Sequence, residues 1–222
     1  IVGYGEIGRA IHHLLSRKKG LEIYTWDLKR SLCSHGTDIV QLAKKADFIF
    51  LCIPSFAIAE CGKKIKKHVR RGAVVISLTK GIERSTALFT SEVMMKTFGR
   101  GKIALLAGPM LAEEILANLD TAAMLAARVN NFKKVESLFD KTKLSLRHTK
   151  DIRGVSVAGV LKNVYALAIG FADALGLGDN AKGVLMTVAV EEMDTLIIRL
   201  GGTKRSMLSL AGLGDLEATG NS

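Results

Sequence analysis

The chain has 222 residues, of which 48% are hydrophobic but only 5% aromatic, and its formal net charge is +11. That length is sufficient for one domain with a sizeable core, or for one and a half domains. A composition rich in small aliphatic residues favours helices packed on a parallel sheet over an all-β sandwich. No uninterrupted apolar run reaches the ~20 residues that a bilayer requires, so the sequence predicts no membrane span.

The positive charge is concentrated in stretches such as 63–67, where Ile65 interrupts four lysines. This pattern is typical of the solvated face of a surface helix. Because no aromatic-basic motif accompanies the charge, we expect no nucleic-acid partner, although an anionic substrate or cofactor would gain from a positive field. Cys33, Cys52 and Cys61 are odd in number and show no CxxC spacing. They predict neither a disulfide framework nor a metal site and favour a reducing cytoplasm.

Short apolar runs alternate with helical patterns over the first two thirds of the chain. Helices are predicted, for example, over Ile7–Ser16 and Ala57–Val69. Strands joined by helical crossovers predict a doubly wound α/β domain with a parallel sheet and helices on both faces. The candidate strands are Ile1–Val2, Leu21–Trp26, Phe48–Ile53, Ala73–Leu78, Ile103–Leu106, Ala122–Ala127 and Leu144–His148.

The strand pattern stops after Asp151, where two long apolar helices are predicted over Gly154–Leu175 and Asn180–Leu200. Helices that are apolar on all sides need to be covered by a neighbouring domain or a second subunit. We therefore expect a first domain over residues 1–151 and an all-helical second domain over residues 152–222.

The first predicted turn carries the motif Gly3-Tyr4-Gly5-Glu6-Ile7-Gly8, which is GxGxxG between a strand and a helix. Gly3 permits the tight turn, Gly5 lets a pyrophosphate approach the backbone, and Gly8 allows close contact between helix and strand. Asp27 follows about 20 residues later, where a carboxylate accepts hydrogen bonds from a ribose. These features predict a Rossmann-type domain that binds a dinucleotide. Asp27 favours NAD, but Lys29 and Arg30 could hold the 2′-phosphate of NADP, so both cofactors stay open.

Three further loops follow the carboxyl ends of strands, where open α/β sheets bind their ligands. They are Ile53-Pro54-Ser55, Thr79-Lys80-Gly81 and Ala107-Gly108-Pro109. Each loop could equally be an ordinary strand-to-helix turn. Lys80 differs from the rest because a cation directly after an apolar strand points towards the cofactor crevice, although a solvated lysine is the alternative.

Lys162 and Asn163 interrupt the first long apolar helix. A lysine there is costly to bury unless it has a partner or a task. Desolvation and neighbouring cations lower a lysine pKa towards the range useful for proton transfer, whereas a lysine that extends to the helix surface would have no such role. The glycine-rich turn Gly212-Leu213-Gly214-Asp215 supplies a carboxylate that could orient a catalytic ammonium.

These residues together resemble the NAD(P)-dependent glycerol-3-phosphate dehydrogenases. The lysine–asparagine helix Ala158–Ala166 and the stretch Gly170–Lys182 carry the resemblance most specifically. The supporting matches follow in the family's order and cover essentially the whole chain: the glycine loop, Trp26, Pro54-Ser55, Lys80-Gly81, Gly108-Pro109, and Gly212–Asp215 with Thr219.

The resemblance implies reversible hydride transfer between NAD(P)H and dihydroxyacetone phosphate, which supplies sn-glycerol 3-phosphate for glycerolipid synthesis. Lys162 would be the proton donor, with Lys80 and Asp215 as its catalytic partners. The implied substrate contacts are Lys80, Gly108, Lys162, Asn163, Asp215 and Thr219. The implied cofactor contacts are Gly3, Gly5, Glu6, Ile7, Gly8, Asp27, Pro54, Lys80 and Ala112. A cytoplasmic homodimer without a metal ion is also implied.

Several positions depart from the family pattern. Met110 replaces a serine after Gly-Pro, Glu6-Ile7 stands where small or aromatic residues are commoner, and Val188-Ala189 replaces Arg-Gly. The arginine–asparagine pair that grips the substrate phosphate should follow Thr219, so we expect further residues beyond Ser222, and a few before Ile1. Two alternatives stay open: a related reductase of the hydroxyacid or ketopantoate type, and a non-catalytic NAD-binding module.

Overall fold

A computed structural model of the chain describes residues 1–220. Its sheet has five strands: β1 (Phe48–Leu51), β2 (Val74–Ser77), β3 (Ile103–Ala107), β4 (Thr121–Ala127) and β5 (Leu144–Thr149). They lie side by side in chain order. β1, β2 and β3 are parallel, β4 is antiparallel to β3, and β5 is parallel to β4. The predicted doubly wound α/β class is confirmed, with a sheet that is mostly parallel.

The prediction of a wholly parallel sheet was wrong between β3 and β4. The segment that joins them contains only the short helix α5 (Ala112–Leu116), which packs against the first helix, α1 (Glu6–Ser16). The chain therefore stays at the carboxyl edge of β3 and re-enters the sheet from there. A full helical crossover, which would return the chain to the opposite edge, is absent from this connection.

The first two predicted strands are shorter than expected and consist of isolated bridges. Val2 pairs in parallel with both Trp26 and Leu51. The Val2 amide donates to the Phe50 carbonyl at 2.8 Å, and the Gly3 amide donates to the Trp26 carbonyl at 2.8 Å. The start of the chain thus lies between the Trp26 segment and β1. This places the glycine loop and Asp27 at the carboxyl edge of the sheet.

The helices divide at residue 152. The first group packs on the sheet, and the second forms the helical part of the chain. The first group is α1, α2 (Ile39–Lys45), α3 (Ser55–Ile65), α4 (Thr90–Phe98), α5 and α6 (Val129–Phe139). The second is α7 (Ile152–Ala174), α8 (Gly178–Arg199), α9 (Lys204–Met207) and α10 (Asp215–Gly220), with a π-helical turn at Leu210–Gly214 before α10.

Alternating strand residues fill the two faces of the sheet. Ile49 and Val75 pack on the face covered by α3 and α4, whereas Phe50 and Ile76 pack on the face covered by α1 and α6. A third cluster lies between α7 and α8 and includes Met193 and Ile197, which are fully buried. Full burial of such side chains contributes roughly 1.5–3 kcal/mol each, so the two long helices stabilise each other.

Helix α7 connects the sheet to the helical part. Its first turn, with Ile152 and Val155, belongs to the core on one face of the sheet, while Ala166 and Ile169 belong to the helical cluster. By length and composition alone α7 is long and apolar enough to cross a membrane, with a mean hydropathy of 1.6, but a single such helix is weak evidence for a span. Half of its most apolar window is buried within the protein, as in the core helix of a folded domain.

Asp151 ties the start of α7 to the loop before α9. One carboxylate oxygen accepts from the Gly154 amide at 2.8 Å, which caps the helix. The other accepts from the Thr203 amide, the Thr203 hydroxyl and the Ser206 hydroxyl, at 2.7, 2.8 and 2.6 Å. Burial alone would raise the pKa of Asp151, but these donors outweigh it and lower the pKa below its usual value.

We expect Asp151→Ala to lower the free energy of unfolding by about 2 kcal/mol, since it removes a helix cap and leaves several donors without an acceptor. Urea denaturation followed by circular dichroism measures the change. Asp173→Ala is the control: it removes an exposed ion pair with Lys182, so the expected loss is below about 0.5 kcal/mol.

The same substitution should change the acid sensitivity of the fold. The pKa of Asp151 is lower in the folded protein than in the unfolded chain. Its carboxylate therefore adds to the free energy of unfolding above the unfolded pKa, and this stabilisation is lost as the pH falls through the folded pKa. The difference in stability between wild type and Asp151→Ala should therefore shrink below about pH 4. A constant difference down to the most acid conditions would contradict this assignment.

Candidate active site

The glycine loop has the geometry that a dinucleotide requires. Gly3 has φ +89°, and a Cβ there would lie 2.4 Å from the Cys52 carbonyl oxygen. A Cβ on Gly8 would lie 2.1 Å from the Gly3 carbonyl oxygen, whereas a Cβ on Gly5 would meet nothing within 4 Å. Gly3 and Gly8 are thus needed for close packing, and Gly5 leaves open space before the first turn of α1. The residues present fit a bound pyrophosphate at this helix N-terminus.

Asp27 is held in place beside the glycine loop. Its two carboxylate oxygens accept from the Tyr4 amide at 2.8 Å and from the Lys29 amide at 2.9 Å. The Tyr4 ring is itself fixed by a hydrogen bond between its hydroxyl and Nδ1 of His12 at 2.5 Å. The carboxylate is therefore oriented before any ligand arrives, at the position where a ribose would lie.

A crevice of about 450 Å³ opens between the glycine loop and the ends of β2 and β3. Predicted residues in its lining are Gly5, Glu6, Ile7, Lys80 and Ala112. Cys52, Met110 and Glu113 also line the crevice and were not predicted as site residues, although Met110 was noted as a departure from the family pattern. Glu113 follows Ala112 by one residue on α5. Its position after the Gly108-Pro109 turn was the one signal that could have indicated it.

The loops around the crevice support each other. The Ser55 hydroxyl donates to the Ile82 carbonyl at 3.1 Å, and a Cβ on Gly81 would lie 2.6 Å from Oγ of Ser55. Pro54 is the residue before the first turn of α3 and fixes this loop in an extended conformation, with φ −58°. Gly108 has φ +149°, and a Cβ there would lie 3.1 Å from Cα of Ala123. Larger residues at Gly81 and Gly108 would push the loops apart.

Two lysines share one carboxylate at the inner end of this region. The Lys80 ammonium lies 2.5 Å from one oxygen of Asp215, and the Lys162 ammonium lies 3.2 Å from the other. Lys162 also donates to the Thr219 hydroxyl at 2.6 Å, and Lys80 to the Gly108 carbonyl at 3.5 Å. Asp215 is 2% exposed and Lys162 is 5% exposed. This lysine–aspartate cluster therefore contains two cations and one anion, and only Lys80 is partly open to solvent.

Local structure explains why the side chains meet. Lys80 follows β2, and its side chain crosses α7 at Gly159, where an added Cβ would lie 3.3 Å from Cγ of Lys80. Lys162 is three residues further along, on the same face of the helix. Asp215 begins α10 directly after the π-helical turn, whose Gly212 is packed too closely on the Met207 carbonyl for any Cβ. Such π-turns often occur at functional sites.

The cluster perturbs the pKa of Lys162. Desolvation lowers the pKa most, the nearby Lys80 charge lowers it further, and Asp215 partly restores it. The net direction is downward. A lysine in this state releases a proton more readily than a solvated one, which suits it to proton exchange with a bound group.

One predicted site residue lies apart from this cluster. Asn163 is exposed on α7, and within residues 1–220 its side chain has no hydrogen bond to Lys162, Asp215 or Thr219. Adjacent residues on a helix point about 100° apart, so the buried orientation of Lys162 directs Asn163 towards solvent. Its role in substrate binding stays a prediction.

The pKa of Lys162 should shift in opposite directions when Asp215 and when Lys80 is replaced. In Asp215→Asn the pKa of Lys162 should fall further, because the negative charge that raises it is lost. In Lys80→Met the same pKa should rise, because a repelling cation is lost. Titration of lysine side-chain NMR signals in the two variants measures both shifts. Shifts of the same sign would show that the carboxylate and Lys80 do not act on Lys162 in this way.

The comparisons with known proteins agree with this geometry. Residues 31–133 match the model for the N-terminus of NAD-dependent glycerol-3-phosphate dehydrogenase, and residues 151–222 match the model for its C-terminus. Glycerol-3-phosphate dehydrogenase [NAD(P)+] of Clostridium acetobutylicum is 31% identical over 98% of this chain and 72% of its own length. The enzyme of that name from a Thermoanaerobacter strain is 36% identical over 82% of this chain, which is 56% of its own length.

Solved structures give the same result. Glycerol-3-phosphate dehydrogenase from Coxiella burnetii superposes with a TM-score of 0.88 at 28% identity, over 98% of this chain and 73% of that protein. The yeast enzyme, at 20% identity and a TM-score of 0.82, supports the fold. The glycine loop, the lysine–aspartate cluster and these matches lead to one conclusion. The chain is an oxidoreductase that belongs to the NAD(P)-dependent glycerol-3-phosphate dehydrogenase family.

Proposed function

We propose that this chain catalyses the reversible reduction of dihydroxyacetone phosphate to sn-glycerol 3-phosphate. The observation that carries the proposal is the buried pair of lysines on Asp215, directly beside the crevice that Gly5, Lys80 and Ala112 line. A nicotinamide cofactor, when bound, supplies or accepts the hydride at C2 of the substrate. The protein supplies position, charge and a proton.

Lys162 is the proposed proton donor to the oxygen on C2. In reduction a hydride reaches carbon and the ammonium of Lys162 passes one proton to the developing alkoxide, which leaves a neutral amine. In oxidation the neutral amine removes the hydroxyl proton. The lowered pKa supports this role, because desolvation and the Lys80 charge make the ammonium of Lys162 release its proton more readily than a solvated lysine.

Lys80, Asp215 and Thr219 are proposed to orient Lys162 and the substrate. Asp215 holds both ammonium groups, and the Thr219 hydroxyl accepts from Lys162, so a proton on Lys162 has a defined direction. The cluster has a net charge of one positive unit, which would attract an anionic substrate and stabilise an alkoxide. Gly108 and Asn163 are proposed to complete the substrate contacts from the loop after β3 and from α7.

The assembly of the protein and its place in the cell are proposed as well. We propose a homodimer in the cytoplasm that supplies glycerol 3-phosphate to glycerolipid synthesis. Support for an assembly comes from large apolar side chains exposed on α7 and α8, among them Leu167, Phe171 and Val184, at 77%, 67% and 63%. Support for a reducing compartment comes from the three cysteines, all of which are free thiols.

Lys162→Met should reduce turnover by about 10²–10⁴-fold, the usual contribution of a positioned acid–base group, and leave NADH binding intact. Oxidation of NADH with dihydroxyacetone phosphate, followed by absorbance, measures turnover, and quenching of Trp26 fluorescence measures binding. Lys143→Met is the control, since the Lys143 ammonium forms an exposed ion pair with Asp120. Turnover close to wild type in Lys162→Met would remove the proposed proton donor. Absence of turnover in a wild-type protein that binds NADH and has the full length of the relatives would favour a non-catalytic module.

A second proposal concerns whether the chain prefers NAD or NADP. We propose that NAD is preferred over NADP, because the oriented Asp27 carboxylate accepts from ribose hydroxyls and repels a 2′-phosphate. Asp27→Ser should raise KM for NADH about 10-fold and lower KM for NADPH, since a charge-assisted contact contributes about 1.5–3 kcal/mol. Asp140→Asn, a change at an exposed carboxylate, is the control. An unchanged ratio of the two KM values would assign the preference to other residues, with Lys29 and Arg30 the first to test.

A further inference from the structure

A second cavity, strongly basic, lies at the edge of the sheet opposite to the candidate active site. It has a volume of about 640 Å³ and is formed where the chain enters β2 and β3 and leaves β4. Five cationic side chains line it, and its lining contains no acidic residue. These are Arg71, Lys102, Arg128, Lys133 and Lys134. We call this the basic cavity.

The charge of the basic cavity is not neutralised within residues 1–220, because none of its five cations forms an ion pair there. The ammonium groups of Lys102 and Lys134 donate only to backbone carbonyls, of Val69 at 3.4 Å and of Gly72 at 3.1 Å. The nearby Asp47 carboxylate is bound by Arg70 at 2.6 Å instead. Five like charges around one concave space repel each other, so an anion that enters gains from all of them.

The wall of the cavity also contains the first backbone amides of helix α6, for which residues 1–220 provide no acceptor. Helix α6 has 11 residues, and its first internal hydrogen bond runs from the Phe132 amide to the Arg128 carbonyl. The amides of Val129, Asn130 and Asn131 precede that bond, and Arg128 provides no side-chain cap. These three residues line the cavity. The helix dipole and the open amides add to the attraction that the five side chains exert on an anion.

We propose that the basic cavity is a binding site for a small ligand that carries a diphosphate or triphosphate group. A volume of this size is typical of small-molecule pockets, at roughly 300–1,000 Å³. Two arginines provide bidentate donors for phosphate oxygens, and the lysines provide point charges around them. A compact polyanion contacts all five cations within the recess, whereas a membrane or a nucleic-acid duplex presents a broad surface that remains outside it. A nucleotide and an inorganic polyphosphate share the group that is recognised.

The basic cavity is separate from the candidate active site. It lies before the first residues of β2 and β3, while Lys80 and Gly108 follow the last residues of the same strands. Strands of four and five residues separate the two regions by roughly 15 Å at about 3.3 Å per residue. Occupation of the basic cavity is therefore compatible with a bound dinucleotide, and the proposal does not depend on the proposed function.

The test is a titration of the ¹⁵N-labelled full chain, saturated with NADH, with sodium tripolyphosphate and separately with ADP. Saturable amide shifts are expected at Gly72, Gly101 and residues 129–131. A triple variant, Arg71→Gln with Arg128→Gln and Lys133→Gln, should weaken the dissociation constant by tenfold or more. Tighter binding of ADP would indicate a nucleotide, and equal or tighter binding of tripolyphosphate would indicate an inorganic source; both support the proposal.

A matched triple variant controls for net charge. Lys19→Gln, Lys44→Gln and Lys141→Gln remove three exposed cations elsewhere on the surface and should leave the dissociation constant unchanged. Equal weakening in both triple variants would overturn the proposal, because it would reduce the effect to overall charge. Absence of saturable binding of either probe, or binding seen only with duplex DNA or anionic vesicles, would also overturn it.

Discussion

A single buried carboxylate determines how the sheet and the helical part meet. Asp215 is almost inaccessible, and an unpaired charge in that position would cost several kcal/mol. It receives one lysine from the sheet, through the loop after β2, and one from α7. If the two parts separated, the Lys80–Asp215 ion pair would be lost, while Asp215 would keep Lys162. The electrostatic requirement of the cluster therefore acts as a structural restraint between the two parts, and the same restraint sets the positions of the proposed catalytic groups.

A second set of contacts reinforces that restraint at the other end of α7. The guanidinium of Arg153 stacks on the Phe89 ring at 4.6 Å, forms an ion pair with Glu92 at 2.5 Å and donates to the Leu200 carbonyl at 2.7 Å. It thereby joins α4, α7 and the end of α8. Together with the Asp151 hydrogen bonds, this network fixes the first turn of α7 on the sheet. The orientation of Lys162, three turns further along, follows from it.

The sequence predicted the fold class well because the strand–helix alternation and the glycine loop are local patterns. It failed where the outcome depends on tertiary structure. The connection before β4 contains only α5, which packs on α1, and nothing in the continuous apolar run of residues 122–127 distinguishes a parallel from an antiparallel strand. Helix α7 has a high average hydropathy although Lys162 and Asn163 interrupt its apolar run, and its place between the sheet and α8 follows from tertiary packing.

The candidate site likewise has features that the sequence predicts and features that depend on tertiary structure. Lys80, Lys162 and Asp215 could be selected from the sequence because each is a charged residue in apolar or glycine-rich surroundings. The exposure of Asn163 and the contact of Gly159 with Lys80 could not be predicted, because each depends on the rotation of α7. The basic cavity could not be predicted either, since its five cations come from three separate segments of the chain.

The continuity of α7 has a consequence for how such a chain can change during evolution. Gly159 and Lys162 face the lysine–aspartate cluster because of their positions around the axis of α7. Each residue inserted or deleted between Ile152 and Lys162 would rotate Lys162 by about 100° away from Asp215. Point substitutions on the exposed side of the helix leave the orientation of Lys162 unchanged. Length variation in related chains should therefore be confined to loops outside α7, such as the segment between α1 and Trp26 or the turn between α7 and α8.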